Sequence, residues 1–80
     1  MTEADKLRHE AMIAIGRELS DLYFSRRLDF DAFKSLFLRA QEAAGEHTDD
    51  LEMFEGAILE PSWREWMIEQ LQRHASQRVA

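Results

Sequence analysis

Eighty residues make one domain, and a chain this short buries only about 60% of the surface its unfolded form exposes, so its core is thin and an oligomer or partner would add stability. Hydrophobic residues at 45% and charged residues at 32% give the composition of a folded chain, and the absence of cysteine excludes disulfides, thiolate zinc sites and Cys nucleophiles. Sixteen Asp and Glu against ten Lys and Arg, a net charge of −6, argue against nucleic acid as a direct ligand.

No apolar run nears the roughly 18 residues of a membrane span, and Met1-Thr2-Glu3-Ala4-Asp5 is acidic where a secretory signal is basic, so the expected setting is a reducing cytoplasm without membrane contact. Three glycines and one proline leave the chain sparsely punctuated, and the alternation that strands need is missing. The expected fold is all-α: a small four-helix domain over residues 1–80, a long antiparallel helical hairpin with two shorter helices packed across it.

Thr2 and Asp5 form a capping box for a first helix over 3–25, whose inner arc is Leu7, Ala11, Met12, Ile15, Leu19, Leu22 and Tyr23. Arg26-Arg27 suits the negative end of its dipole. Asp29 is placed to cap a second helix over 30–44, with Leu28 and Phe33 as a hydrophobic staple and Gly45 as the left-handed residue that ends it. Thr48 is the expected cap of a third helix over 49–60, facing inward through Leu51, Phe54, Ala57 and Ile58, with Gly56 either a close contact or a weak point. Pro61 stops that helix, and Ser62-Trp63-Arg64-Glu65 reads as the capping box of a fourth over 63–77, along which Trp63, Met67, Leu71, His74 and Ala75 align.

Charge is distributed unevenly. Between Glu46 and Glu60 stand six acids and no Lys or Arg, while the other ten acids and ten bases cancel. Dipole compensation and an ordinary solvated face account for much of this, but an uninterrupted acidic strip also steers association with a basic surface. The candidate contacts are Asp49, Asp50, Glu52, Glu55 and Glu60. A second set, Ile13, Phe24, Leu38 and Met53, consists of apolar residues outside the inner arcs, which suits a protein partner or a symmetric homodimer.

Catalytic and cofactor signals are weak. His9, His47 and His74 stand at none of the spacings of helical metal sites, no hydroxyl lies in a nucleophile elbow, and glycine-rich phosphate loops are absent, so neither an enzyme nor a metal or cofactor is expected. Trp63 and Trp66 share a side, where core packing is a simpler role than base stacking without a basic funnel. Pro61, Trp66, Glu69, Leu71 and His74 are similar in spacing to the carboxyl-terminal helix of the theta accessory subunit of bacterial DNA polymerase, a small helical protein; the upstream helices do not match, and no family is assigned on it.

The functional expectation is a non-catalytic acidic interaction module that regulates or inhibits a larger protein machine by binding a basic surface. Its sharpest form is a phage-type inhibitor such as an anti-CRISPR protein or another nucleic-acid mimic. The alternative is a self-associating bundle or accessory subunit with a structural role.

Overall fold

The computed structural model describes residues 2–79, with side chains to residue 76. Its elements are α1 (Glu3–Phe24), α2 (Phe30–Ala44), a 3₁₀ helix (Thr48–Ala57) and α3 (Pro61–Val79), and no strand occurs among the described residues. The all-α, four-helix expectation is met. α3, at 19 residues, is longer than the 15-residue α2, so among the last two helices only the 3₁₀ helix is short.

α1 starts as its capping box dictates: Thr2 Oγ1 accepts from Asp5 N at 3.1 Å, and Thr2 N donates to the Asp5 carboxylate at 3.5 Å. Hydrogen bonding by Thr2, from side chain and then backbone, and by Arg8 holds the Asp5 carboxyl below its ordinary value of 3.8. Met12, Ile15 and Leu19 are buried as the periodicity requires, but Leu7 is 58% exposed. At about 1.5 Å per residue α1 is about 10 Å longer than α2, so its amino-terminal turns overhang the pair.

α1 ends in a Schellman motif. Arg27 N donates to Leu22 O at 2.9 Å and Arg26 N to Tyr23 O at 3.2 Å, which requires Arg26 to take φ +62°. Glycine occupies such a position more readily, because a Cβ is penalised there. Past the turn, Asp29 Oδ1 accepts from Ala32 N at 2.8 Å, and the staple residues Leu28 and Phe33 are both buried. Arg39 of α2 reaches back to Glu18 of α1 at 2.9 Å, a pairing far from the turn that requires the two helices to run antiparallel.

Gly45 does take positive φ at the end of α2, but with ψ −112° it is not left-handed helical. His47 N donates to Ala44 O at 2.9 Å, so residues 44–47 form a turn with Gly45 in the first central position of type II′, which favours glycine. The turn feeds a 3₁₀ helix where an α-helix was expected. Thr48 is its first residue, and its end lacks a side-chain cap. Pro61 does not stop this helix, which ends at Ala57; instead Pro61 opens α3, as the first helical position permits, and Ser62 lies inside the first turn without a cap's role.

The core is aromatic. Phe33, Phe37 and Phe54 are fully buried, and Phe33 stands 5.6 Å from Phe54, 5.0 Å from Trp63 and 6.3 Å from Trp66 between ring centroids. α3 is further tied to α2 by Gln41, whose Nε2 donates to Gln70 O at 3.1 Å, and to the following turn by His74, whose Nε2–H donates to Gly45 O at 2.9 Å.

Phe33→Ala is expected to lower stability by about 3–5 kcal/mol, much of what a domain of this size possesses, and to shift the denaturant midpoint accordingly. Arg26→Gly is expected to raise stability by about 1 kcal/mol in the same titration. Because the folded pKa of Asp5 is depressed, its stabilisation of the first turn is present above the unfolded value near 3.8 and is lost as pH falls through the lower folded value. Helical signal from residues 3–6 in NMR chemical shifts should therefore fall in acid for the wild type and show a smaller pH response in Asp5→Asn.

Candidate functional site

In a 3₁₀ helix side chains three residues apart eclipse one another, so the segment from Thr48 to Ala57 presents three straight rows. Leu51, Phe54 and Ala57 form the buried row that faces the core. Asp50, Met53 and Gly56 form a row toward α1: Asp50 meets Arg8 Nε at 3.5 Å, Met53 Sδ lies 3.4 Å from where a Cβ on Gly16 would sit, and Gly56 shares a surface groove with Tyr23 and Phe24. The third row is Asp49, Glu52 and Glu55, all exposed, with successive Cα atoms about 6 Å apart along the axis at about 2.0 Å per residue.

The fold supplies two bases that the acidic segment lacks in sequence. Arg8 pairs with Asp50, and Arg64 of α3 closes on Glu55 at 2.7 Å. Asp49, Glu52 and Glu60 make no ion pair among the described residues, and all three are exposed. Both pairs are half-exposed and contribute little to stability, so their effect is on the field: two of the candidate contacts are compensated and three are not.

The apolar candidates divide differently. Ile13 and Met53 line an open groove of about 490 Å³ between α1 and the 3₁₀ helix, with Gly16, Arg17 and Ser20 alongside. The groove continues past Phe24 and Gly56 and reaches Leu59. Phe24, 80% exposed, is the most exposed large apolar side chain among the described residues, and Tyr23 packs against its ring edge-on at 5.2 Å. Ile13 is 41% exposed. Met53 is half-buried against the core and is as much a packing residue of the domain as part of its surface. Leu38, 46% exposed, lies on α2 outside this groove.

Sequence reasoning missed Leu59 and the Gly16–Ser20 floor. The signal for Leu59 was available: Ile58 and Leu59 are consecutive, Ile58 is extended at ψ 111°, and adjacent residues of extended chain face opposite ways, so only one of them reaches the core. Arg17 and Asp21, one turn apart on the same groove, drew no notice because mixed charges on a helix are ordinary.

Among the described residues no three His, Asp or Glu side chains converge as a metal site would require, and His9 and His47 are exposed. No helix is long and apolar enough to cross a membrane. No known protein family matches the chain, and neither a curated protein nor a solved structure is significantly similar to it.

A Cβ added at Gly56 meets nothing within 4 Å, so this glycine marks open groove and not close packing. Gly56→Ala is expected to raise stability by up to about 1 kcal/mol through the entropy of the unfolded chain, read as an upward shift of the denaturant midpoint.

Proposed function

We propose that the protein is a non-catalytic interaction module that regulates or inhibits a larger protein machine, in the cytoplasm, by presenting the Asp49–Glu52–Glu55 row to a basic surface. The observation that carries this reading is the row itself: a straight, exposed line of carboxylates on a helix anchored by the buried Leu51, Phe54 and Ala57. The support fixes the backbone beneath these charges before a partner arrives, so only their exposed side chains remain to be ordered, and uncompensated charge at Asp49, Glu52 and Glu60 raises the encounter rate with a positive surface.

The narrower form is an inhibitor of a nucleic-acid-handling complex, such as an anti-CRISPR protein or other nucleic-acid mimic. A single-file row of acids on one exposed face offers a phosphate-binding surface a line of negative charge, which supports that form. Arg64 beside Glu55 reduces the charge at one end of the row, so Asp49 and Glu52 are the stronger contacts. A structural role through self-association rests on a different observation, the apolar groove, and on different residues.

Capture from host lysate with a tagged chain tests the reading. Wild type is expected to retain a partner at about 0.1 M salt and release it near 1 M, where screening length falls from about 10 to 3 Å. The double variant Asp49→Asn, Glu52→Gln, with an unchanged circular dichroism spectrum, is expected to lose that partner, while Asp50→Asn keeps it. Equal recovery by wild type and the double variant would return these acids to solvent. Competition by added nucleic acid separates the narrower form from the general one.

A further inference from the structure

The α1 side of the groove has a symmetry that an arbitrary protein partner does not require. Ile13 and Phe24 lie at equal distances either side of the Glu18–Leu19 peptide bond, Arg17 and Asp21 either side of Leu19, and Gly16 and Ser20 either side of Glu18. All six line the same continuous surface. Along α1 the apolar pair Ile13 and Phe24 brackets the charged pair Arg17 and Asp21, so turning the helix end for end about residues 18–19 exchanges the two apolar ends and brings each charge, to within a residue, onto its opposite.

We infer that this face docks a second copy of the chain, with the two α1 helices antiparallel across a two-fold axis near Glu18 and Leu19. A two-fold interface demands that if one residue meets another, the reverse contact also forms. In this arrangement Ile13 of each copy packs against Phe24 of the other, and Arg17 of each faces Asp21 of the other. Ser20, with its small exposed side chain, lies at the crossing, where the helices approach most closely, while Gly16 lies beneath Met53 of its own chain.

Charge complementarity selects a second copy as the occupant. Arg17 and Asp21 are exposed, line the same groove and make no ion pair among the described residues. Arg ahead of Asp by four residues is the weaker order for pairing within one helix, which leaves both groups available across the axis. Burying Ile13 and Phe24 would also relieve the two apolar exposures of 41% and 80% that α1 presents outside its inner arc. This interface does not use the acidic row, so each surface stands or falls separately.

Sedimentation velocity from micromolar to millimolar concentration provides the test. Wild type is expected to dimerise, and to remain dimeric when Asp49→Asn and Glu52→Gln are introduced. Arg17→Asp and Asp21→Arg, each placing like charges together twice per dimer, are expected to weaken self-association about tenfold or more with unchanged circular dichroism. An equimolar mixture of these two variants is expected to form a heterodimer at wild-type strength, because opposite signs then face each other at both ends. Phe24→Ser is expected to dissociate the dimer, and Leu38→Ser, on α2, to leave it intact. A wild-type chain that stays monomeric at millimolar concentration overturns the inference, even if the groove then captures another protein. A mixture that associates no better than either variant alone overturns it as well.

Discussion

A cluster of buried rings centred on Phe33 holds the domain together. Phe33 is inaccessible to water and joins α2 to both the 3₁₀ helix, through Phe54, and α3, through Trp63 and Trp66, and Phe37, one turn on, touches Phe54 and Trp66 as well. Edge-to-face and tilted rings at 5.0–6.3 Å fill space that aliphatic side chains would need several residues to fill. An 80-residue chain has few residues to spare for its core, and large rings meet that limit by burying much apolar area per position. α3 is joined to the rest through its two tryptophans, the buried Met67, the Arg64–Glu55 pair and the bonds of Gln41 and His74, so its place in the fold depends in large part on the same ring cluster.

Local signals were legible because they are local. The Thr2–Asp5 capping box, the Asp29 cap and the Leu28–Phe33 staple each involve residues within a few positions of one another, and all three occur as the residue types require. The 3₁₀ helix was harder to read. Leu51, Phe54 and Ala57 satisfy a period of 3.0 and are also compatible with 3.6 over so short a span. What separates the two is the fourth position on: an α-helix would have brought Glu55 toward the face of Leu51, and an acid there disfavours that geometry. Ion pairs were illegible for a different reason. Arg8–Asp50 joins residues forty-two positions apart, and no run of charge along the chain announces such a neighbour.

The candidate surfaces divide in the same way. The acids of the 46–60 segment were visible as composition, but which of them stay uncompensated depends on where Arg8 and Arg64 arrive. Ile13 and Phe24 were visible as apolar residues off the inner arc of α1; that Met53, Gly56 and Leu59 complete a groove beside them requires the 3₁₀ helix to lie against α1. Met53 illustrates the limit. Off the inner arc of an α-helix it looked free, whereas the 3₁₀ repeat sets it in line with Asp50 and Gly56, over Gly16.

The two tryptophans give the molecule a built-in division of optical signals. Trp63 is buried beside Phe30 and Phe33, and half-buried Trp66 contacts Phe30, Phe33 and Phe37, so indole emission reports on the interior. Neither indole lines the groove, where the chromophores are Tyr23 and Phe24. Unfolding therefore changes tryptophan fluorescence directly, whereas occupancy of the α1 face acts first on tyrosine, whose emission is obtained as the difference between spectra excited where both chromophores absorb and where only tryptophan does. A native chain thus carries separate intrinsic reporters for whether it is folded and for whether that face is covered, with no label added.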